Sequence, residues 1–197
     1  MEQSERKLTP RGRERRRQLL DYAAQRFAEN GYHPTSVADI VNGLGVGKGV
    51  FYWYFDSKEQ LFLEILRESQ TDLRRFQRDA IADEPDPLKR LENGVRSSFT
   101  WWSKHPEIVN LLQFAATESA FAKAVRKGAD VSVDDAVTHV REGIAQGKIR
   151  DADPEVLAHA ILGITGHLAR EFVHRRGSSP DEIADLAVTM MLDGLRD

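Results

Sequence analysis

The sequence predicts an all-α protein: an N-terminal three-helix domain built around a helix-turn-helix, joined by a long helix to a C-terminal helical domain. Three observations carry this reading. Apolar residues recur at helical three-and-four spacing along nearly the whole chain. Ser, Asp and Pro stand at the heads of those stripes and Gly at their ends, the asymmetry that helix termini favour. No alternating strand pattern, internal repeat or low-complexity tract competes with them.

Residues 1–12 read as a disordered basic arm. Leu19, Leu20, Ala23, Ala24, Phe27 and Ala28 then predict a helix from about Arg13 to Asn30, with Gly31 just past its end. Ser36 is an N-cap with Asp39 three residues on, a loose capping box that opens a short helix bearing Val37, Ile40, Val41 and Leu44. Gly43 and Gly45 let the chain turn. A second short helix runs from about Gly47 to Tyr54, and Ser57 with Gln60 forms another capping box. Residues 13–57 are thus the expected helix-turn-helix domain and 58–197 the second domain.

In that second domain a long helix from Lys58 to about Ile81 carries Leu61, Phe62, Ile65, Leu66, Leu73 and Phe76. Ala82 to Asp86 is a polar break. Asp86-Pro87 starts the next helix, which stops before Pro106. A further helical run spans Ala120 to Gln146, with Gly128 a point where it can break. Asp153-Pro154 starts a helix that closes at Gly177, its last turn made basic by His174, Arg175 and Arg176. Ser179-Pro180 or Asp181 starts the final helix.

The turn-helix segment carries the chemistry. Lys48, Tyr52, Trp53, Tyr54 and Lys58 bring basic and polar-tipped side chains together, and lysine and tyrosine are common phosphate donors. Gly47 and Gly49 lack side chains, so a duplex could approach the backbone. An outward Val50 suits a thymine methyl. Phe51 and Phe55 read as core.

Thr35, Val37, Ile40, Gly45, Val46, Lys48, Gly49, Phe51, Tyr52, Tyr54, Phe55, Ser57, Lys58, Glu59 and Leu61 resemble the DNA-binding domain of TetR-family transcriptional regulators. Ala24, Phe27, Gly31 and Tyr32 extend the likeness, which covers about residues 13–65. The resemblance implies a dimer that binds double-stranded operator DNA and is usually released by a small ligand. It implies Tyr52 and Lys58 as phosphate contacts, with Lys48 and Trp53 toward the groove. The expected DNA-contacting set is Thr35, Ser36, Gly47, Lys48, Gly49, Val50, Tyr52, Trp53, Tyr54 and Lys58. Gly47, in place of a usual serine or threonine, removes one hydroxyl, and Val50 alters the base preference.

Charge fits this reading once its distribution is considered. The net charge is −3, yet residues 1–60 carry ten Lys/Arg against eight Asp/Glu. Between Arg6 and Arg17 seven basic residues face Glu14 alone, enough for a local electrostatic footprint. A basic arm can follow phosphates or enter a minor groove. Without cysteine there is no disulfide framework or thiolate metal site. Neither an apolar run long enough to span a bilayer nor a secretory h-region is evident, so a cytoplasmic protein with no membrane partner is expected.

The C-terminal domain is expected to bind a small hydrophobic or aromatic ligand and to dimerise. Phe76, Phe99, Trp101, Trp102, Phe114, Phe121, His139 and Phe172 are the pocket candidates, Trp101 or Trp102 foremost. Leu157, Ile161, Ile164, Leu168, Leu186, Met190 and Met191 are the dimer candidates, with small residues such as Gly163 and Gly166 allowing close helix approach. A symmetric pair would set two reading heads on half-sites about 34–36 Å apart. Asp135, His139 and Glu142 share a helix face, read as polar and exposed. No catalytic motif, metal set or cofactor fingerprint is found, so no catalytic residue, metal or cofactor is expected. The competing readings are a helix-turn-helix protein without effector, or an all-helical ligand-binding protein or enzyme.

Overall fold

Several helix starts fall where the sequence supplies a capping oxygen. In the computed structural model, which describes residues 8–195, Thr9 Oγ1 accepts from Gly12 N–H (3.2 Å) and opens α1, Pro10–Asn30. Ser36 and Asp39 form the full capping box of α2, Val37–Gly43: Asp39 N–H donates to Ser36 Oγ (3.2 Å) and Ser36 N–H to Asp39 Oδ2 (2.8 Å). Gly45, at φ +64°, makes a Schellman turn, with Val46 N–H on Val41 O (2.9 Å) and Gly45 N–H on Asn42 O (3.1 Å). α3 follows at Lys48–Tyr54 and α4 at Lys58–Ile81.

α1 therefore begins three residues before the expected Arg13. The signal was Thr9-Pro10, a cap followed by proline at N1. Pro10, Arg11 and Gly12 are helical rather than part of a disordered arm, while residues 1–7 of that expectation lie outside the described residues.

The helices divide into a unit ending at Arg67 and a unit beginning at Glu68. The core of the first is Leu19, Leu20, Ala23, Phe27, Ile40, Val41, Phe51, Phe55, Leu61, Phe62, Ile65 and Leu66. Phe27, Tyr32 and Phe62 pack edge to face or tilted, with centroids 4.9–5.7 Å apart. The unit runs past the expected boundary at Ser57 because the opening turns of α4 supply four of these core side chains.

The second unit holds the rest of α4, then α5 (Pro87–Lys104), α6 (Pro106–Thr117), α7 (Ser119–Ala145), α8 (Pro154–Leu168) and α9 (Pro180–Leu195). α5 packs on α7 and α9, and α7 on α6 and α8. Phe99, Val140, Leu157, Ile161, Ala187 and Met191 lie in its main core. α7 passes Gly128 unbroken; the Gln70 side chain occupies the space a Cβ would fill there. Beyond α8 the chain continues as a π-helical segment, Ala169–Arg175, ended by Gly177 at φ +69°. Arg175 and Arg176 hold the half-buried Glu171 carboxyl down at about 2.

Candidate nucleic-acid interface and ligand cavity

α3 has two unlike faces. Phe51 and Phe55 are fully buried, which fixes the rotation of the helix. The opposite side then presents Tyr52 and Trp53, 55% and 51% exposed, with Lys48 exposed beside them. Trp53 is braced by the Tyr54 ring, edge to face at 4.5 Å. A Cβ on Gly47 or Gly49 would meet nothing within 4 Å, so the backbone is open on this side. Val50 and Tyr54 are half-buried and, with Trp53 and Gly49, line a groove whose other wall is α1.

That wall carries Arg11 and Arg15, four apart and therefore on one helix face. Other arginines of the basic run are engaged. Arg16 reaches Glu64 (3.0 Å), Arg17 bonds Glu14, and Arg13 donates to Leu8 O (2.7 Å). Among the described residues neither Arg11 nor Arg15 makes an ion pair. The sequence placed Arg11 in the arm and Arg15 in the first helix; their spacing after Thr9-Pro10 was the sign that they share a helical face beside α3.

Two of the expected DNA-contacting side chains are engaged within the protein. Thr35 is buried, its hydroxyl donating to Gly31 O (2.8 Å), so it serves the α1–α2 turn. Lys58 directs its ammonium inward, donating to Tyr32 O and Thr35 O at 2.9 Å each and lying 4.3 Å from the Tyr32 ring centre. Partial burial pushes its pKa down, with Glu59 opposing. Carbonyl oxygens converging at the turn outcompete solvent for the cation. Ser36 is exposed, its hydroxyl committed to Asp39 (2.7 Å).

In the second unit a cavity of about 310 Å³ lies among α4, α5, α7 and α8. Leu91, Val95, Ile161 and Leu162 form apolar wall; Arg74, Arg78, Arg90, Gln77, Ser98, Asp135 and His139 bring polar atoms. Arg74 clasps Asp135 in a two-point pair (2.6 and 3.0 Å). Arg90 meets Glu142 at 2.7 Å and lies 3.5 Å from His139 Nδ1. Burial and the Arg90 charge hold the His139 pKa below its usual value, against a smaller opposing pull from Glu142 and Asp135.

Asp135 and His139 thus line a cavity: Asp135 is exposed at its edge, as expected of a polar face, while His139 is half-buried against Arg90. Of the ligand candidates His139 alone lines this cavity. Phe99 is fully buried core, and Trp101 is buried with its Nε1–H on Asp72 Oδ2 (2.9 Å). Trp102 packs on the main core, Phe114 pairs with Phe121, Phe76 lies under Lys104 and Phe172 under Arg176. Large rings are an effective way to fill a core, and folding has used Phe99, Trp101 and Phe121 there. The dimer candidates divide too. Leu157, Ile161 and Met191 are buried in their own chain, Ile164 and Leu168 pack half-buried on that core, and Leu186 and Met190 remain 68% and 54% exposed.

Comparison with known proteins decides the family. Residues 19–65 match the model of bacterial regulatory proteins of the tetR family, and residues 84–195 that of the tetracyclin repressor-like C-terminal domain. The chain belongs to the TetR family. It is a DNA-binding transcriptional regulator with the helix-turn-helix of that family. The transcriptional repressor KstR2 of Rhodococcus jostii is 32% identical over 191 residues, 92% of this chain and 91% of that protein. The structure of the ketosteroid transcriptional regulator KstR2 of Mycobacterium tuberculosis superposes with a TM-score of 0.72 at 27% identity, over 93% of this chain and 95% of that one. The fatty acid degradation regulator FadR of Bacillus halodurans shares the fold, with a TM-score of 0.84 at 22% identity, over 97% and 99% of the two chains. Among the described residues of this TetR-family chain, no helix is long and apolar enough to cross a membrane.

Proposed function

We propose that this TetR-family regulator is a cytoplasmic homodimeric repressor without catalytic activity, released from its operator by a small molecule. The observation that carries the DNA reading is the two-faced α3. A buried Phe51–Phe55 side fixes the helix, and Lys48, Tyr52 and Trp53 project from the other. Laid in a major groove, that ridge faces base edges and phosphates. Arg11 and Arg15, on the other wall of the groove beside α3, neutralise flanking phosphates.

The pairing surface is the outward face of α8 and α9. Val156, Leu186 and Met190 are exposed apolar side chains, and a Cβ on Gly163, Gly166 or Gly194 would meet nothing within 4 Å. Such a face lets two copies bring backbones close. A ligand in the α4–α5–α7–α8 cavity acts by favouring the conformation that binds DNA less well. α4 is the element it would move, since it belongs to both units. The ketosteroid named for KstR2 supports an effector with an apolar body.

Selection of bound duplexes from a random pool tests this. A palindromic site with half-sites one helical turn apart, or a multiple of it, is expected; recovery of unenriched sequence would refute the reading.

A further inference from the structure

The cavity walls are unevenly matched in charge. Three arginines, Arg74, Arg78 and Arg90, line the space against two carboxylates: Asp135, on the wall and committed to Arg74 through two bonds, and Glu142, which pairs with Arg90 from beside it. Arg78, exposed at the rim, makes no ion pair or hydrogen bond among the described residues. Arg90 directs Nη2 to Glu142 and Pro85 O and Nη1 toward His139, yet its Nε–H is buried with no partner. A buried guanidinium nitrogen left in this state is costly, and an anion is the group that relieves it best.

Other polar groups on the wall are occupied. Ser98 Oγ donates to Gly94 O (2.7 Å) and accepts from Gln77 Nε2 (2.8 Å). Thr165 Oγ1 donates to Ile161 O (2.8 Å), Ser132 to Gly128 O and Thr138 to Asp134 O. These hydroxyls are spent on the helices that carry them, so a neutral polyhydroxyl ligand finds few free donors. Leu91, Val95, Ala136, Ile161 and Leu162 offer only apolar contact.

From this pairing of an under-neutralised arginine set with an aliphatic wall, we propose that the cavity binds a compact amphipathic organic anion. Its head meets Arg90 and Arg78, and its saturated body lies along Leu91, Val95, Ile161 and Leu162. The volume sets the scale. An apolar cavity of ~150 Å³ admits benzene. A space of about 310 Å³ therefore suits roughly a dozen non-hydrogen atoms. The inference names the class of effector for the ligand-responsive reading above and rests on it for biological meaning, but the binding site stands or falls by itself.

Calorimetric titration of the full chain, without DNA, with octanoate, octyl phosphate, 1-octanol and octylamine tests it. The two anions should bind at one site per chain, at least about tenfold more tightly than octanol, and octylamine should be the weakest. A carboxylate head makes octanoate the tighter anion and a phosphate head makes octyl phosphate the tighter; either order supports an anion site. Arg90→Gln should remove the preference of anion over octanol. Arg78→Ala, at an exposed position whose loss leaves the core intact, should weaken the anions about threefold or more and leave octanol unchanged. Equal binding of octanol and the anions, tightest binding of the amine, or wild-type anion affinity in Arg78→Ala and Arg90→Gln alike would overturn the proposal. DNA titrations then separate the two readings. Anion binding that leaves operator affinity unchanged keeps the site and removes the effector role. Operator release by a neutral ligand, with no anion bound, keeps the effector role and overturns this inference.

Discussion

The Lys58 ammonium caps the carbonyl oxygen of Tyr32 at 2.9 Å while lying 4.3 Å from the centre of the same residue's ring. One side chain at the start of α4 thus closes the turn between α1 and α2, adding Thr35 O as a second acceptor. The recognition helix α3 lies between these elements in the chain, so its setting depends on the closure.

Replacing Lys58 with Met should therefore act through stability. Loss of charge-assisted bonds to two carbonyls, discounted for partial exposure, is expected to cost about 1–2 kcal/mol in chemical denaturation. The salt dependence of DNA binding should keep its slope. Wild-type stability with a slope reduced by about one would mean that Lys58 turns outward to a phosphate.

Arg11 and Arg15 carry the opposite expectation. Each Ala substitution should leave the melting transition in place and lower affinity for all duplexes alike, cutting the log–log salt slope by about one. Gel-shift titrations at several salt concentrations check this. An unchanged slope in both variants would show that the α1 wall does not meet phosphate.

His139 makes stability depend on pH. Its folded pKa lies below the usual histidine value of about 6.5, through burial and the Arg90 charge. The unfolded chain then binds the proton more readily, so the contribution is complete above about pH 6.5 and is lost as pH falls through the depressed folded value. Urea midpoints measured from pH 8 to 5, within about that range of His titration, should fall on acidification, and less steeply in His139→Gln. Parallel curves for the two proteins would assign the fall to other groups.

Leu186 and Met190 are the exposed apolar side chains of α9. A Leu186→Glu/Met190→Glu pair should convert the dimer to monomer in sedimentation, with helical content kept because neither side chain packs in its own core. An intact dimer would place the interface elsewhere.

What the sequence revealed and what it concealed follow from how local each signal is. The Ser36–Asp39 box, the Gly45 turn and the α3 pattern are set by residues within four positions of one another, and each reads directly. Thr35 did not, since a hydroxyl beside a cap reads the same whether it faces solvent or Gly31 O. The aromatics misled because bulk apolar rings serve a core and a pocket equally well, and only packing tells Phe99 from a lining residue. Asp135 and His139 share a helix face in any register, but their place on the wall of a cavity depends on Arg74 and Arg90, distant in the chain. The same holds for Leu157 and Met191. Their stripe was legible, but not which of its two edges remained open.

Affinity of the Tyr52→Ala/Trp53→Ala protein for the selected operator tests the placement of α3 most directly, with dimer and helical content verified. The two exposed side chains should account for a loss of at least about tenfold, since one good groove contact contributes about 1–3 kcal/mol. Operator binding at wild-type strength would contradict the placement of α3 in the groove.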